Sequence, residues 1–312
     1  MSLPSHVVIV GAGYTGQRLA TQLLQESSSC EIWLTSRNPS ENLQAFQDHE
    51  RVHLVELDLL SESLAQDLES IAFPGPDTWV VYSAPTLYRT YEPEPLASGV
   101  SRHVQPLAAV SRWCQGCAGF IYLSSTSVYG DHQGDWVDEE SERRPESALG
   151  KMRRDLEDYV LTTFASRAPH SALNVARIVG IYGPGRTLLE YIQRGRYKLV
   201  DGGEKITNRV HVDDIVRALL AMMEHGKPGA QVYNVSDGHP LSVRELVDFL
   251  VENQGITRPE EVSLEEYAES RGPNVASRWK TTYCCKNNKL RDTLGWEPQY
   301  KTALEGLAAI HS

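Results

Sequence analysis

The chain lacks three features that define large classes of protein: long apolar runs, a cysteine framework and an excess of basic residues. Its 312 residues contain no uninterrupted apolar run of about 18 or more, so no membrane-spanning segment is predicted. The five cysteines are odd in number and lack disulfide-framework spacing. Cys114 and Cys117 have C-x-x-C spacing, but no second pair completes a zinc site. We therefore predict buried structural thiols and no metal site.

The charge balance is acidic, with 41 Asp and Glu against 30 Lys and Arg, a net charge of −11. Binding to nucleic-acid phosphates needs a basic footprint, so we predict no nucleic-acid partner. The first residues lack the basic region of a secretory signal. Hydrophobic residues make up 41% and charged residues 23%, which is typical of a globular protein. We expect a soluble, cytoplasmic protein that binds a small molecule and no membrane.

Short β-rich runs alternate with helical patterns along the first half of the chain. Such alternation favours parallel pairing, because a parallel return needs a crossover of a dozen or more residues. The sequence predicts an α/β fold, a Rossmann-type doubly wound parallel sheet with a smaller C-terminal substrate lobe. We place the nucleotide-binding domain at residues 1–178 and the lobe at residues 179–312, with residues 205–235 returning to the first domain. The predicted strands are residues 7–10, 31–35, 52–57, 79–82, 120–123 and 173–178, and the main predicted helices are residues 17–25, 96–113, 152–165, 213–223 and 243–253.

A glycine-rich loop joins the first predicted strand to the first helix. Gly11, Gly13 and Gly16 form a G-x-G-x-x-G pattern. In this context the first glycine permits a tight turn, the second lets a pyrophosphate approach the backbone, and the third permits close packing of helix on strand. The helix start, with Tyr14 and Thr15, offers free N–H groups to a phosphate. The alternative is a turn that only connects the two elements.

The end of the second strand distinguishes the two nicotinamide cofactors. An NAD site usually has Asp or Glu about 20 residues after the glycines, where it binds the ribose 2′-hydroxyl. Here Ser36 and Arg37 stand at that place. A guanidinium and a hydroxyl suit a 2′-phosphate. We therefore predict NADP(H) rather than NAD(H), the alternative being an arginine at a solvated strand end.

Five further sequence segments follow the glycine loop along the chain: Phe-Ile-Tyr-Leu-Ser-Ser-Thr-Ser-Val-Tyr-Gly (120–130), Val-Ala-Arg-Ile-Val-Gly-Ile-Tyr-Gly-Pro-Gly (175–185), Val-His-Val-Asp-Asp (210–214), Tyr-Asn-Val-Ser-Asp-Gly (233–238) and Leu-Gly-Trp-Glu-Pro (294–298). In this order they resemble the extended short-chain dehydrogenases/reductases, the NAD-dependent epimerase/dehydratase-like proteins, many of which act on nucleotide sugars. The G-x-G-x-x-G form is similar to the atypical, YeeZ-like branch, since typical members have G-x-x-G-x-x-G. The resemblance covers almost the whole chain.

The resemblance implies further cofactor contacts at the carboxyl ends of the strands. Asp58 and Leu59 would lie by the adenine, with a plain turn as the alternative for Asp58. The loop that follows the fourth predicted strand, residues 83–85, would line the nicotinamide side of the cofactor. The alternative for Pro85 is a proline that only ends the strand. The remaining implied contacts are Ser83, Ala84 and Pro85 in that loop, Ser124, and Arg153, which would hold a ribose or a phosphate.

The resemblance breaks at the catalytic pair. Ser125 takes the position of the family's catalytic serine, but Leu149 replaces the tyrosine and Arg153 replaces the lysine of Tyr-x-x-x-Lys. A leucine transfers no proton, and an arginine stays protonated. Tyr88 and Tyr91 are candidate substitutes, with packing roles as the alternative. One hypothesis is therefore an NADP(H)-dependent redox or epimerisation enzyme, and the other is a non-catalytic NADP-binding sensor.

The substrate side also departs from the family pattern. Gly180 stands where an asparagine often contacts substrate, and Thr207, Asn208 and Arg209 replace the common Arg-Asp-aromatic run. Arg186 and Arg209 are candidates for holding an anionic substrate group such as a diphosphate. Asp213 or Asp214 is the expected N-cap of the next helix. The expected partner is a small-molecule substrate, with a nucleotide sugar as one candidate. Dimerisation through the helices at residues 96–113 and 152–165 is common in the resembling family.

Overall fold

The computed structural model describes residues 3–71, 75–96, 99–195, 197–272 and 278–311. Its strands are, in chain order, β1 (His6–Val10), β2 (Glu31–Ser36), β3 (Val52–Glu56), β4 (Thr78–Tyr82), β5 (Gly119–Ser125), β6 (Trp136–Val137), β7 (Ala172–Ile178), β8 (Gly180–Tyr182), β9 (Leu199–Val200), β10 (Ile206–Thr207), β11 (Arg209–His211), β12 (Gly229–Val235), β13 (Leu241–Ser242), β14 (Glu261–Val262) and β15 (Cys284–Cys285).

Helices connect most of these strands. A π-helical turn, Tyr159–Phe164, continues the fifth helix. The α-helices are α1 (Tyr14–Glu26), α2 (Pro39–Asn42), α3 (Leu64–Ser70), α4 (Gln105–Trp113), α5 (Ala148–Asp158), α6 (Ala165–Arg167), α7 (Leu188–Gln193), α8 (Val212–His225), α9 (Val243–Gln254), α10 (Leu264–Arg271), α11 (Asn288–Leu294) and α12 (Ala303–His311).

The central sheet has seven strands in the order β12-β7-β5-β4-β1-β2-β3. Strand β1 lies between β4 and β2, where Val8 pairs in parallel with Trp33 of β2 and with Val80 of β4. All four residues from Val7 to Val10 are buried. Because consecutive strand residues face opposite sides, the sheet is covered on both faces, as in doubly wound folds. The predicted fold class is confirmed.

The chain forms two compact units, each built from separate segments. Unit 1 contains most of the large sheet, and unit 2 contains the short paired strands and the C-terminal helices. The predicted boundary near residue 178 stays a prediction. Unit 1 consists of Met1–Ser125, Ala148–Arg177 and Val216–Tyr233, and unit 2 of Thr126–Ser147, Ile178–Ile215 and Asn234–Ser312.

The structure corrects two expectations about helices. The helix predicted at residues 96–113 begins at Gln105; residues 97 and 98 lie outside the described residues, and residues 99–104 form turns and a bridge from Ser101 to Pro95. Asp213 and Asp214 lie inside the first turn of α8. The Asp214 carboxylate instead accepts the backbone N–H groups of Gln299 and Tyr300.

The predicted capping box of α9 and the buried pair Cys114 and Cys117 agree with the structure. Ser242 begins α9 with a capping box, in which Glu245 N–H donates to Ser242 Oγ (3.1 Å) and Ser242 N–H donates to the Glu245 carboxylate (2.7 Å). All five cysteines are free thiols, with Cys114 and Cys117 buried. Among the described residues, no helix combines the length and apolar character needed to cross a membrane.

Candidate cofactor and substrate sites

The glycine loop is held by the ends of its two neighbouring strands. Gly11 has a φ of +80°, a conformation that favours glycine. Its N–H donates to Thr35 Oγ1 (3.0 Å), and Ala12 N–H donates to Thr35 O (2.9 Å). A Cβ added at Gly11 would lie 2.7 Å from Ala84 Cα. Only glycine therefore fits where the loop passes over the segment that follows β4.

The N-terminus of α1 is open. Gly13 is its N-cap, no side chain caps it, and its first turn contains no acidic residue. A Cβ added at Gly13 would meet only Gly11 O, at 4.0 Å, among the described atoms. A Cβ added at Gly16, in contrast, would lie 2.9 Å from Ile9 Cγ2. Gly16 thus lets helix and strand pack, while Gly13 leaves space at the positive end of a helix of 13 residues.

Tyr14 and Thr15 form the first turn of α1, with Thr15 buried and Tyr14 half-buried. At the end of β2, Ser36 Oγ accepts a hydrogen bond from the side-chain amide of Asn42 (3.1 Å). The next residue, Arg37, is exposed, and no hydrogen bond or ion pair of its side chain is found within the described residues. Its guanidinium is therefore available to an anion beside the glycine loop.

The segments after β3 and β4 differ in their relation to the loop. Ser83 N–H donates to Val10 O (2.9 Å), and Ser83 Oγ donates to Gly11 O (2.7 Å). Ser83, buried Ala84 and exposed Pro85 therefore begin directly beside the glycines. Asp58 Oδ1 accepts a hydrogen bond from the N–H of Leu60 (2.9 Å). This is the geometry of a plain turn, which was the alternative to an adenine contact for Asp58. Leu59 is buried.

A buried ion pair lies beside the end of β5. Ser124 Oγ donates to Glu157 Oε1 (2.6 Å), and Arg177 donates to the same carboxylate through Nε (3.1 Å) and Nη2 (2.9 Å). The Ser124 hydroxyl proton is thus committed to Glu157, and this bond does not support the predicted cofactor contact. Sequence reasoning missed Glu157, although its position one turn after Arg153 on α5 was the available signal.

The partly buried Ser125 follows at the end of β5, and Leu149 and Arg153 stand one turn apart on α5. Tyr91, considered as a substitute for the tyrosine, donates its hydroxyl to Asp155 Oδ2 (3.0 Å). Burial, followed by this bond to Asp155, raises the pKa of Tyr91. A phenol held as a donor to a carboxylate is a poor proton acceptor. Arg102 lies over the Tyr88 ring at 5.3 Å, which favours a packing role for Tyr88.

The predicted substrate residues belong to unit 2, whereas the cofactor residues belong to unit 1. Arg186 is exposed, and its N–H donates to Gly183 O (2.9 Å) in a tight turn. Arg209 is half-buried, and burial lowers its pKa. Strand β11 pairs with β8 so that Arg209 stands opposite Gly180.

Comparisons with known sequences agree with this geometry. The sequence profile of the NAD dependent epimerase/dehydratase family matches residues 7–236. Protein YeeZ of Escherichia coli K12 is 34% identical over 124 residues, which are 38% of this chain and only 40% of YeeZ. The dTDP-glucose 4,6-dehydratase of Streptomyces griseus is 25% identical over 333 residues, covering 98% of this chain and 93% of that enzyme.

Solved structures share the fold. A protein of unknown function from Silicibacter pomeroyi superposes with a TM-score of 0.74 at 27% identity, covering 98% of this chain and 97% of that one. The Thermotoga maritima UDP-glucose 4-epimerase, solved with UDP-glucose, has a TM-score of 0.76 at 22% identity, covering 97% and 96%. Because the family profile spans well over half of the sequence, this chain belongs to the NAD dependent epimerase/dehydratase family.

Proposed function

We propose that this protein binds NADP(H) at its glycine loop and uses it in redox or epimerisation chemistry on a small substrate, with a nucleotide sugar as the favoured class. The observation that carries the proposal is the open space at Gly13, in front of an uncapped helix N-terminus. A pyrophosphate suits this place because it would accept the free N–H groups there. The similar dTDP-glucose 4,6-dehydratase and UDP-glucose 4-epimerase are named for nucleotide sugars, which supports the substrate class.

Arg37 supports the preference for NADP(H). Thr35 is bonded to the glycine loop through both Oγ1 and its carbonyl, so the chain two residues later stays beside the loop. A guanidinium placed there would make charge-assisted bonds to a 2′-phosphate. The 2′-hydroxyl of NAD, in contrast, is usually bound by a carboxylate, and none stands at this position.

The nicotinamide would supply the hydride chemistry when bound. The close approach of Gly11 to Ala84 would fix the glycine loop, against which the cofactor would lie. By resemblance, Ser125 would bind the reacting oxygen of the substrate. Leu149 supplies no acid or base because it has no ionisable proton. Arg153 supplies none because a guanidinium stays protonated in proteins.

A non-catalytic, NADP-binding sensor is the second candidate function. Leu149 and the hydrogen-bonded Tyr91 hydroxyl favour it, because together they remove the usual proton-transfer group and one substitute. Scanning carbonyl compounds and nucleotide sugars for NADPH turnover separates the candidates. Saturable turnover abolished by Ser125→Ala supports the enzyme. NADPH binding without turnover across the panel supports the sensor.

One titration experiment tests cofactor binding with two variants. Gly13→Ala should fold normally, because the added Cβ meets no described atom closer than 4.0 Å and Gly13 has a φ of −84°. It should nevertheless weaken NADPH binding about tenfold or more, since the methyl group occupies the approach to the helix N-terminus. Fluorescence titration gives the affinity and circular dichroism confirms the fold. Unchanged affinity in this variant would refute the proposed site.

In the same titration, Arg37→Ala tests the choice of cofactor. We expect NADPH affinity to fall about tenfold or more while NADH affinity changes little, because only the 2′-phosphate is lost as a partner. Arg112→Ala, an equal charge change at an exposed position near the end of the otherwise buried α4, is the matched control. If both cofactors lose affinity equally, or neither does, the NADP preference is wrong while the glycine-loop site still stands on the Gly13 result.

A further inference from the structure

Two cysteines with C-x-x-C spacing enclose the turn that follows α4. Cys114 is the C-cap of this helix, and its carbonyl oxygen accepts a hydrogen bond from the N–H of Cys117 (3.0 Å). Between them Gly116 has a φ of +101°, a conformation that favours glycine. A hydrogen-bonded turn of four residues keeps its first and last Cα atoms within about 7 Å. Disulfides usually span Cα separations of about 4.4–6.8 Å, so the turn holds the two residues about as close as a bridge requires.

The backbone on both sides of this turn is held by secondary structure. Cys114 ends α4, and Cys117 stands just before β5. Ser171 Oγ donates to Cys117 O (2.6 Å), and Ala118 N–H donates to Thr78 O (3.0 Å) at the start of β4. All of these residues belong to unit 1. The separation of the two cysteines is therefore set by a helix and a sheet, and not by a loose loop.

The two thiols also interact directly. Both are free, and Cys114 and Cys117 are 0% and 3% exposed, whereas Gln115 and Gly116 between them are exposed. A hydrogen bond from the Cys114 thiol lowers the pKa of Cys117, while burial raises the pKa of Cys114. The position of Cys114 at the C-terminal end of α4 adds to this difference, because the negative end of a helix disfavours an anion. Cys117 is therefore the thiol of the pair that ionises first.

The other three cysteines are arranged differently. Burial raises the pKa of Cys30 to about 11, and burial also raises the pKa of Cys284. Cys284 and Cys285 are adjacent in β15, so their side chains point to opposite faces of the strand. A protonated thiol reacts slowly with peroxides, because the thiolate is the nucleophile. Cys114 and Cys117, in contrast, combine a thiol that ionises more easily with a second thiol in contact with it.

We propose that Cys114 and Cys117 are a reversible oxidation site, at which hydrogen peroxide converts the two thiols into a disulfide. In the first step the Cys117 thiolate attacks the peroxide: an S–O bond forms, the O–O bond breaks, and the leaving hydroxide takes up the Cys117 proton as water. In the second step the Cys114 sulfur attacks the Cys117 sulfur: an S–S bond replaces the S–O bond, and the leaving hydroxide takes up the Cys114 proton. Two electrons pass from the thiols to the peroxide, and a dithiol reductant reverses the change.

The thiol pair is separate from the glycine loop and does not depend on the proposed function. Cys117 precedes β5, whereas the glycine loop follows β1, and both strands run parallel to β4. The pair therefore lies at the amino ends of the strands and the loop at their carboxyl ends. Oxidation should leave the NADPH affinity within about twofold of that of the reduced protein. A protein that binds NADPH in neither state counts against the proposed cofactor and not against the oxidation site.

Thiol mapping of the full-length wild-type protein tests the proposal. The folded protein is treated with hydrogen peroxide, quenched, unfolded, alkylated and analysed by mass spectrometry. We expect the number of free thiols to fall from five to three, with Cys114 and Cys117 joined and their peptide lighter by two hydrogen atoms. Cys30 should stay a free thiol, and dithiothreitol should restore all five. Complete alkylation of Cys114 and Cys117 after the treatment, or oxidation there that dithiothreitol does not reverse, overturns the proposal.

Two serine variants identify the reacting sulfur. In Cys114→Ser, peroxide should convert Cys117 to a sulfenic acid that dimedone traps, because no second thiol completes the bridge. In Cys117→Ser, Cys114 should stay reduced, since burial raises its pKa. Cys30→Ser removes another fully buried thiol and should form the bridge as the wild type does. Dimedone labelling of Cys114 in Cys117→Ser, with none of Cys117 in Cys114→Ser, overturns the proposed order of steps. Circular dichroism checks the fold of each variant, and the wild-type thiol map decides the proposal if a variant does not fold.

Discussion

Asp237 is a carboxyl group placed where water does not reach it, with only 3% of its surface exposed. Its Oδ1 accepts the N–H of His239 (2.9 Å), while Oδ2 has no partner among the described residues. Burial raises its pKa from 3.8 to about 7, the nearby charge of Asp214 raises it further, and Arg209 opposes both. The folded protein therefore binds a proton that the unfolded chain releases between about pH 4 and 7.

The sign of this linkage gives a prediction. Because the folded-state pKa is raised, stability due to the proton is present at low pH and is lost as pH rises through about 7. Asp237→Asn removes that loss. We expect it to increase the free energy of unfolding by about 4 kcal/mol at pH 8, and to change it little near pH 4. Urea unfolding across this range measures the effect.

Asp292→Asn, the same chemical change on the exposed face of α11, is the control and should leave the pH dependence of stability as in the wild type. Parallel stability curves for wild type and Asp237→Asn would show that Asp237 ionises normally in the folded protein.

Single residues differ in how far the sequence revealed them. Gly11 and Gly13 were identifiable because a glycine pattern after a strand has a known spacing. The role of Thr35 in holding the loop was not, because it depends on which strands lie side by side. Glu157 was missed for the same reason: its partners, Ser124 and Arg177, are 33 and 20 residues away along the chain.

At the scale of elements, the Glu157 carboxylate fixes α5 to two strands of the sheet, through Ser124 on β5 and Arg177 on β7. The Glu157 and Arg177 side chains are only 0% and 3% exposed. The same helix carries Leu149 and Arg153. The Glu157–Arg177 ion pair therefore sets the position of the helix that usually supplies the catalytic residues in the resembling family.

Glu157→Gln should be strongly destabilising, because it leaves the Arg177 charge buried without a counter-charge. The expected loss in the free energy of unfolding is about 3–5 kcal/mol. Ser124→Ala, which removes one hydrogen bond to the same carboxylate, should lose about 1–3 kcal/mol. Asp248→Asn breaks an exposed ion pair with Arg258 and should cost less than about 1 kcal/mol. Denaturant unfolding that ranks the three variants otherwise contradicts this account.

Elements with strong local signals were predicted well. The six predicted strands and the capping box of α9 agree with the structure, because buried strands and caps have local patterns, whereas the edge strand β12 was not predicted. The start of α4 was wrong by nine residues: apolar side chains continue before Gln105, but turns and a bridge replace the helix there. The π-helical turn after α5 was not predicted, because it inserts a single residue and the hydrophobic periodicity of the sequence averages over such an insertion.

At the scale of the whole molecule, the acidic net charge of −11 gives no information about where single cationic side chains stand. Arg37 follows the strand that holds the glycine loop of unit 1, and the candidate substrate residues Arg186 and Arg209 belong to unit 2. The prediction of no nucleic-acid partner rests on the total charge alone, whereas the proposed ligands are anions bound at a few positions. Net charge therefore describes the protein's general surface, and only the placement of single cations indicates what it binds.

The interleaving of segments predicts how truncation will behave. A fragment of residues 1–178 ends where the sequence placed the domain boundary, but it lacks Val216–Tyr233, which belongs to unit 1. The missing segment includes most of α8 and most of the edge strand β12. A Cβ added at Gly226, just after α8, would lie 2.7 Å from Trp79 Cη2, so this segment packs tightly against β4.

We expect the 1–178 fragment to aggregate and to show no cooperative thermal unfolding. All seven residues of β7 are buried, and without β12 this strand becomes an unprotected, apolar sheet edge. A fragment of residues 1–235 restores the edge strand and should recover a cooperative transition, measured by circular dichroism and size-exclusion chromatography. A monomeric 1–178 fragment that unfolds cooperatively would show that unit 1 does not need the returning segment, and the cofactor domain would then be continuous in sequence.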